Sequence, residues 1–249
     1  MGIDYTILDG ASDERTIGES LDRFKYLLES GKSVAFVVKK GALAYSRKEA
    51  PTPSDRMMRE DILRMIVEAA RGDVLVSTTG KTSRELFEIR EQNTQSHKHD
   101  FLTVGSMGHS SSIALGIALA RPEKRVWCLD GDGAALMHMG AMAVIGSRSP
   151  RNLIHVIINN EAHESVGGQP TATSAVSLVR LASACGYAHA LRAENSEELR
   201  ETLSCIDERQ GPLFLEVKAA VGSRDDLGRP TTTPLQNKTA FMEFLKECD

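Results

Sequence analysis

The chain has 249 residues, enough for one large or two small domains with a well-buried core. Its 41% hydrophobic and 26% charged residues are a globular composition, neither disordered nor membrane-embedded. A net charge of −4 and a pI near 6.0 give no basic footprint, which argues against nucleic acid or an anionic membrane as partner.

The N-terminal stretch MGIDYTILDGASDER is polar and acidic, unlike a signal peptide, and no apolar run reaches transmembrane length. Tyr5–Leu8 reads as a short strand. Ile17, Leu21, Phe24, Leu27 and Leu28 then recur at helical spacing until Gly31 stops the helix, and Ser33–Val38 reads as a second strand. The stretch 47–55, RKEAPTPSD, has linker composition. From residue 56 a regular alternation follows: helix 56–71, strand Val74–Val76, loop Ser77–Lys81, helix 83–92. A charged run, QSHKHD, reads as loop and contains His97 and His99. The glycine-bearing loop Gly105–Gly108 opens a small-residue helix over Ser110–Ala120. Strand 125–129, helix Ala134–Ser147, strand 153–158, helix 174–185, strand Ala188–Leu191, helix Ser196–Glu208, strand Leu213–Val217 and helix 234–247 complete the pattern. Strands alternating with helices predict an α/β fold, a parallel sheet with helices on both faces and ligands beyond the strands' carboxyl ends. The four cysteines, Cys128, Cys185, Cys205 and Cys248, lack close metal-ligand spacing, and reduced thiols of a cytoplasmic protein are expected.

Two pieces at strand ends carry the chemistry. Gly131-Asp132-Gly133 follows one apolar run and Asn159-Asn160 follows the next. Alone, either piece reads as a turn. Together they aim a carboxylate and a carboxamide oxygen from neighbouring strand ends at one point, a donor set suited to Mg²⁺ bridging phosphate oxygens. The glycines permit a sharp turn and close approach of a phosphate.

This pair resembles the diphosphate-binding motif of thiamine diphosphate (ThDP) enzymes. The chain from about Val74 to Glu216 is similar to their pyrophosphate-binding (PP) domain. Four stretches resemble the phosphonopyruvate decarboxylase family: STTGKTSRELFE at 77–88, DFLTVGSMGHSSSIALGIALA at 100–120, CLDGDGAALMHMGAMAVIG at 128–146 and VIINNEAHESVGGQPT at 156–171. The related sulfopyruvate decarboxylases share their sites between two short subunits. The resemblance implies Mg²⁺ held by Asp132, Asn160 and the Ala162 carbonyl. It implies diphosphate contacts from Gly131, Gly133 and Ala134, and in Gly105-Ser106-Met107-Gly108 a Gly105 carbonyl and a Met107 wedge against the cofactor. Glu161 stands where the family often has glycine, with its side chain expected to point outward. A substrate bearing a carboxylate and a phosphonate needs cationic donors, for which Lys81, Arg84, His109 and His163 are candidates, Lys81 and His109 also as catalytic groups.

The family's activating glutamate sits in a separate pyrimidine-binding (PYR) domain. Residues 1–46 resemble only the tail of such a domain, 47–55 a linker and 56–249 the PP domain. The expectation is therefore one subunit of a heteromeric, ThDP- and Mg²⁺-dependent decarboxylase of a 2-oxo acid, with a PYR-domain partner supplying the glutamate. Phosphonopyruvate is the favoured substrate. The alternatives are sulfopyruvate or a plain 2-oxo acid, a non-catalytic cofactor-holding subunit, and a carboligase.

Overall fold

A computed structural model describes residues 2–43 and 56–246. The chain forms two compact units, the first ending at Pro51 and the second beginning at Thr52. The segment 47–55 and Cys248 lie outside the described residues.

The first unit is a single strand–helix–strand turn. Strands β1 (Asp4–Leu8) and β2 (Val34–Val38) pair in parallel, joined by α1 (Glu14–Glu29). Asp13 caps α1 by accepting the Thr16 N–H at 2.8 Å, and Phe24 packs on Phe36 with ring centroids 4.8 Å apart. Tyr5, Ile7, Leu21, Leu28, Val37 and Val38 stay exposed, because two strands and one helix cannot cover their own apolar side chains.

The second unit runs α2 (Arg59–Ala70), β3 (Val74–Ser77), α3 (Lys81–Gln92), β4 (Asp100–Leu102), α4 (Ser110–Ala120) and β5 (Val126–Gly131). Then come α5 (Asp132–Met137), α6 (Gly140–Arg148), β6 (Leu153–Asn159), the short strands β7 (Ala162–His163) and β8 (Gln169–Pro170), and α7 (Leu178–Cys185). Strand β9 (His189–Ala193), α8 (Ser196–Ser204), β10 (Leu213–Lys218) and α9 (Pro234–Lys246) close it. Six strands form one parallel sheet in the order β4-β3-β5-β6-β10-β9. Leucine, isoleucine and phenylalanine side chains of α2, α3 and α8 cover one face, and those of α4, α6, α7 and α9 the other. Burial on both faces is why the central strands, VWCLDG and LIHVIIN, read as near-continuous apolar runs.

Several expected boundaries shift. The helix expected over 134–147 is two helices, because His138 leaves helical geometry (φ −128°, ψ 45°) and packs its ring 4.0 Å from that of His109. The helix expected from Ser83 starts at Lys81, and Ser83 turns its hydroxyl back to the Thr78 carbonyl at 2.7 Å. The helix expected from 174 starts at Leu178, capped by the Ser177 side chain, and 172–174 form a 3-10 turn instead. The helix expected to reach 208 ends at Ser204, with a 3-10 turn after it. The run QSHKHD is ordered rather than loop: 97–99 form a 3-10 turn with His97 stacked on Phe87 at 4.1 Å, and Asp100 opens β4, a strand absent from the sequence reading. The hairpin β7–β8 also went unread. Among the described residues no helix is long and apolar enough to cross a membrane, and Cys128, Cys185 and Cys205 are unbridged.

Candidate functional site

Sheet order decides where the site lies. From β3 the chain steps outward to β4, then crosses back over β3 to β5 and continues the other way. The reversal leaves a crevice beyond the carboxyl ends of β3 and β5, where the loops diverge. Three loops line one cavity there: Thr78–Lys81 after β3, Gly131–Ala134 after β5, and Asn160–Val166 after β6. Arg59, Met107 and Met137 complete much of the wall.

Asp132, the first residue of α5, is buried. Its Oδ2 accepts hydrogen bonds from the Thr171 and Thr173 hydroxyls, and Thr173 also reaches Asn159 Oδ1 at 3.2 Å. Burial pushes the Asp132 carboxyl above its ordinary range, against the pull of those two hydroxyls. The two asparagines divide their work. Asn159 is wholly buried and structural: its Nδ2 donates to Glu216 Oε1 at 2.7 Å, and its Oδ1 accepts the Glu161 N–H at 3.0 Å. Asn160 faces the cavity, with Oδ1 accepting the Ala162 N–H at 3.1 Å. Beneath the glycine turn, Asp130 Oδ1 accepts the Gly131 N–H at 3.0 Å, and His155 Nε2 lies 3.7 Å from its other oxygen.

Glu161 takes the left-handed conformation (φ 59°) that glycine adopts without strain. Its carboxylate turns away from the cavity, 2.7 Å from Lys218 Nζ and 3.6 Å from Arg56. Hydrogen bonding to Lys218 holds it below the usual carboxylate range despite partial burial.

A charged network forms one wall, and little of it was read from the sequence. Glu164 Oε2 accepts from Arg59 Nη1 at 2.7 Å and from Asn160 Nδ2 at 3.0 Å, while Oε1 accepts from Lys81 Nζ at 2.6 Å. Glu85 grips the opposite edge of Arg59, at 2.7 Å to Nε and 2.8 Å to Nη2. Burial pushes the Glu164 carboxyl up, but the charges of Arg59 and Lys81 outweigh it and hold the group ionised below its ordinary value.

The residues singled out from the sequence fall into two groups. Lys81, Met107, Gly131, Asp132, Gly133, Ala134, Asn160, Ala162 and His163 line the cavity. The other four do not. Gly105 and Ser106 form an exposed turn with positive φ (71° and 46°). His109 is exposed at the start of α4, its Nδ1 3.1 Å from the Ser106 carbonyl. Arg84 lies half-buried further along α3. Missed were Arg59, Glu164, Thr171 and Thr173, single polar residues that no spacing rule marks.

The matching family model is "Thiamine pyrophosphate enzyme, C-terminal TPP binding domain", over residues 78–217. A phosphonopyruvate decarboxylase of Streptomyces viridochromogenes is 37% identical over 73% of this chain and 44% of its own length. A sulfopyruvate decarboxylase subunit beta of Methanococcus maripaludis is 31% identical over 77% of this chain and 99% of its own. The chain thus spans about half the length of the Streptomyces relatives it matches. A solved thiamin diphosphate-dependent enzyme from Mycobacterium smegmatis shares the fold, with a TM-score of 0.56 and 18% identity over 73% of this chain and 35% of that one. With the family model falling on the cavity-bearing unit, the chain belongs to the thiamine pyrophosphate enzymes, in the group that contains phosphonopyruvate decarboxylases and sulfopyruvate decarboxylase beta subunits.

Proposed function

We propose that this chain takes part in the ThDP- and Mg²⁺-dependent decarboxylation of 3-phosphonopyruvate to phosphonoacetaldehyde and CO₂, as one subunit of a heteromeric enzyme. The observation that carries the reading is the meeting of Asp132 and Asn160 in one cavity at the sheet's switch point.

The donor set fits the group. Asp132, Asn160 and the Ala162 carbonyl offer three oxygens, the hard ligands that Mg²⁺ selects. The Thr171 and Thr173 hydroxyls fix the Asp132 carboxylate, as partners of metal ligands commonly do. Gly133 leaves no room for a side chain: a Cβ there would stand 2.7 Å from the His163 ring, so its backbone is bare toward the cavity wall. Gly133 and Ala134 open α5 and are assigned to the diphosphate through their N–H groups. Met107, between glycines, is assigned as the apolar wedge, with Gly105 and Ser106 in the same loop. ThDP, when bound, supplies the electron sink for the carbanion left as CO₂ departs. The chain's own part is to hold that cofactor and to keep water from the reacting carbon. Lys81 and His163, which line the cavity, are the first candidates for substrate contact, and His109 and Arg84, which do not, are second candidates.

Two features support a partner chain. Met137 and Val166 line the cavity yet are exposed, an apolar rim suited to cover by another subunit. Residues 2–43 expose apolar strand and helix side chains, Tyr5, Ile7, Leu21, Leu28, Val37 and Val38 among them, a surface suited to cover by another chain. A partner of PYR type would bring the activating glutamate.

Sulfopyruvate is the second reading, favoured by one observation: the Methanococcus maripaludis beta subunit is matched over 99% of its own length. The test is a substrate panel on the purified chain, alone and mixed with its co-purifying PYR-domain protein. Phosphonoacetaldehyde and CO₂ from the mixture are expected. Robust turnover by the chain alone contradicts the two-chain reading, and turnover of sulfopyruvate but not phosphonopyruvate contradicts the substrate.

A further inference from the structure

The charged wall of the cavity has the form of an anion receptor with a carboxylate already inside it. We propose that Arg59 and Lys81 form a subsite for a tetrahedral phosphoryl or phosphonyl dianion, and that Glu164 is a resident carboxylate which this dianion displaces. The inference rests on the functional reading above and deepens it.

Convergence is the first argument. Arg59 opens α2, Lys81 opens α3 and Asn160 follows β6, yet all three donate to the one Glu164 carboxylate, at 2.7, 2.6 and 3.0 Å. Donors gathered from three elements onto a point in a cavity suit an oxyanion with several acceptor atoms. A carboxylate has two oxygens and uses both here, whereas a phosphoryl group presents three.

Charge is the second. Arg59 and Lys81 carry two positive charges, Glu85 and Glu164 two negative ones, so the wall is neutral as it stands. A dianion entering beside Glu164 would meet no net attraction and a like charge at close range. With Glu164 withdrawn the same wall carries one net positive charge.

The third is which acid is free to leave. Glu85 sits inside α3, 1% exposed, and grips Arg59 through two bonds that orient the remaining Nη1 toward Glu164. Glu164 lies instead on a 3-10 turn between β7 and β8, followed by Gly167 and Gly168 with φ of 108° and 75°. Two glycines on a short antiparallel hairpin provide the backbone freedom for that turn to swing. Space points the same way: the cavity measures about 140 Å³, against roughly 300–1,000 Å³ for ligand pockets generally. Residues 164–166 line it, so withdrawing that turn enlarges it while Ala162 stays in place on β7.

The dianion has two possible sources, the cofactor's terminal phosphoryl group and the substrate's phosphonate. Calorimetric titration of the full chain with Mg²⁺ separates them, using inorganic pyrophosphate, ThDP and phosphonoacetate as probes. Glu164→Gln keeps an acceptor for Asn160 and removes the charge. It is expected to bind the matching dianion roughly tenfold more tightly than wild type, and Lys81→Met roughly tenfold more weakly. Tightening toward pyrophosphate and ThDP assigns the subsite to the cofactor, and tightening toward phosphonoacetate alone assigns it to the substrate. Hydrogen exchange across 164–168 is expected to rise when the dianion binds. Unchanged or weaker affinity of Glu164→Gln for all three probes overturns the proposal. If Glu164→Gln does not fold, unchanged affinity of Lys81→Met for all three probes overturns it equally. Mg²⁺-independent ThDP binding by wild type would instead sink the functional reading, a different result from either.

Discussion

Gly108 illustrates how single residues set the cavity wall. Its φ of +91° is left-handed, and a Cβ there would stand 2.8 Å from the His138 ring and 2.9 Å from the Ala134 carbonyl. The turn before α4 therefore packs directly on α5, the helix that begins with Asp132. Gly108→Ala is expected to lower unfolding free energy by about 1–3 kcal/mol, from strain plus overpacking, read by urea denaturation. At this scale the sequence was legible where residues carry distinctive chemistry in a fixed pattern. Asp132 and Asn160 stood out because glycines and a second asparagine framed them. Arg59 and Glu164 did not, since their meaning comes from contact across 105 positions of chain. Thr171 and Thr173 carry no signal in the sequence, and only the fold turns their hydroxyls onto Asp132.

Elements were legible in proportion to their burial. Strands β3, β5, β6 and β10 have continuous apolar runs, and each was placed within two residues of its observed ends. Strand β4 has three residues, begins with Asp100 and lies at the sheet edge, so neither length nor periodicity marks it. Its stability comes from elsewhere. Asn237 of α9 donates to the Asp100 carbonyl at 2.9 Å and accepts the Leu102 N–H at 3.0 Å, standing in for a neighbouring strand. Arg90 of α3 adds two bonds to the Asp100 carboxylate, each 2.9 Å. Asn237→Ala strips partners from two buried backbone groups and is expected to cost about 2–4 kcal/mol by denaturant unfolding. A loss below half a kcal/mol would show that α9 does not hold this edge.

The second unit places the oxygens of Asp132 and Asn160, the charged wall of Arg59, Lys81 and Glu164, and the apolar rim of Met137 and Val166 around one crevice. Parallel strand order makes this possible: loops from β3, β5 and β6 leave the sheet on the same side, so residues 78–81, 131–134 and 160–166 meet. The alternation of strands and helices predicted that arrangement in outline. The order of the strands was not legible, because pairing partners are chosen by packing across the sheet rather than by neighbours in the chain. Met137 and Val166 leave the cavity's rim apolar and exposed, the surface that the proposed partner chain would cover.

The most direct test of the account is calorimetric titration of ThDP into the full chain, with Mg²⁺ and with EDTA, for wild type and Asp132→Ala. Saturable binding by wild type only with Mg²⁺ is expected, with loss of that binding in an Asp132→Ala variant that retains its unfolding midpoint. Equal affinity in EDTA, or in Asp132→Ala, would contradict it.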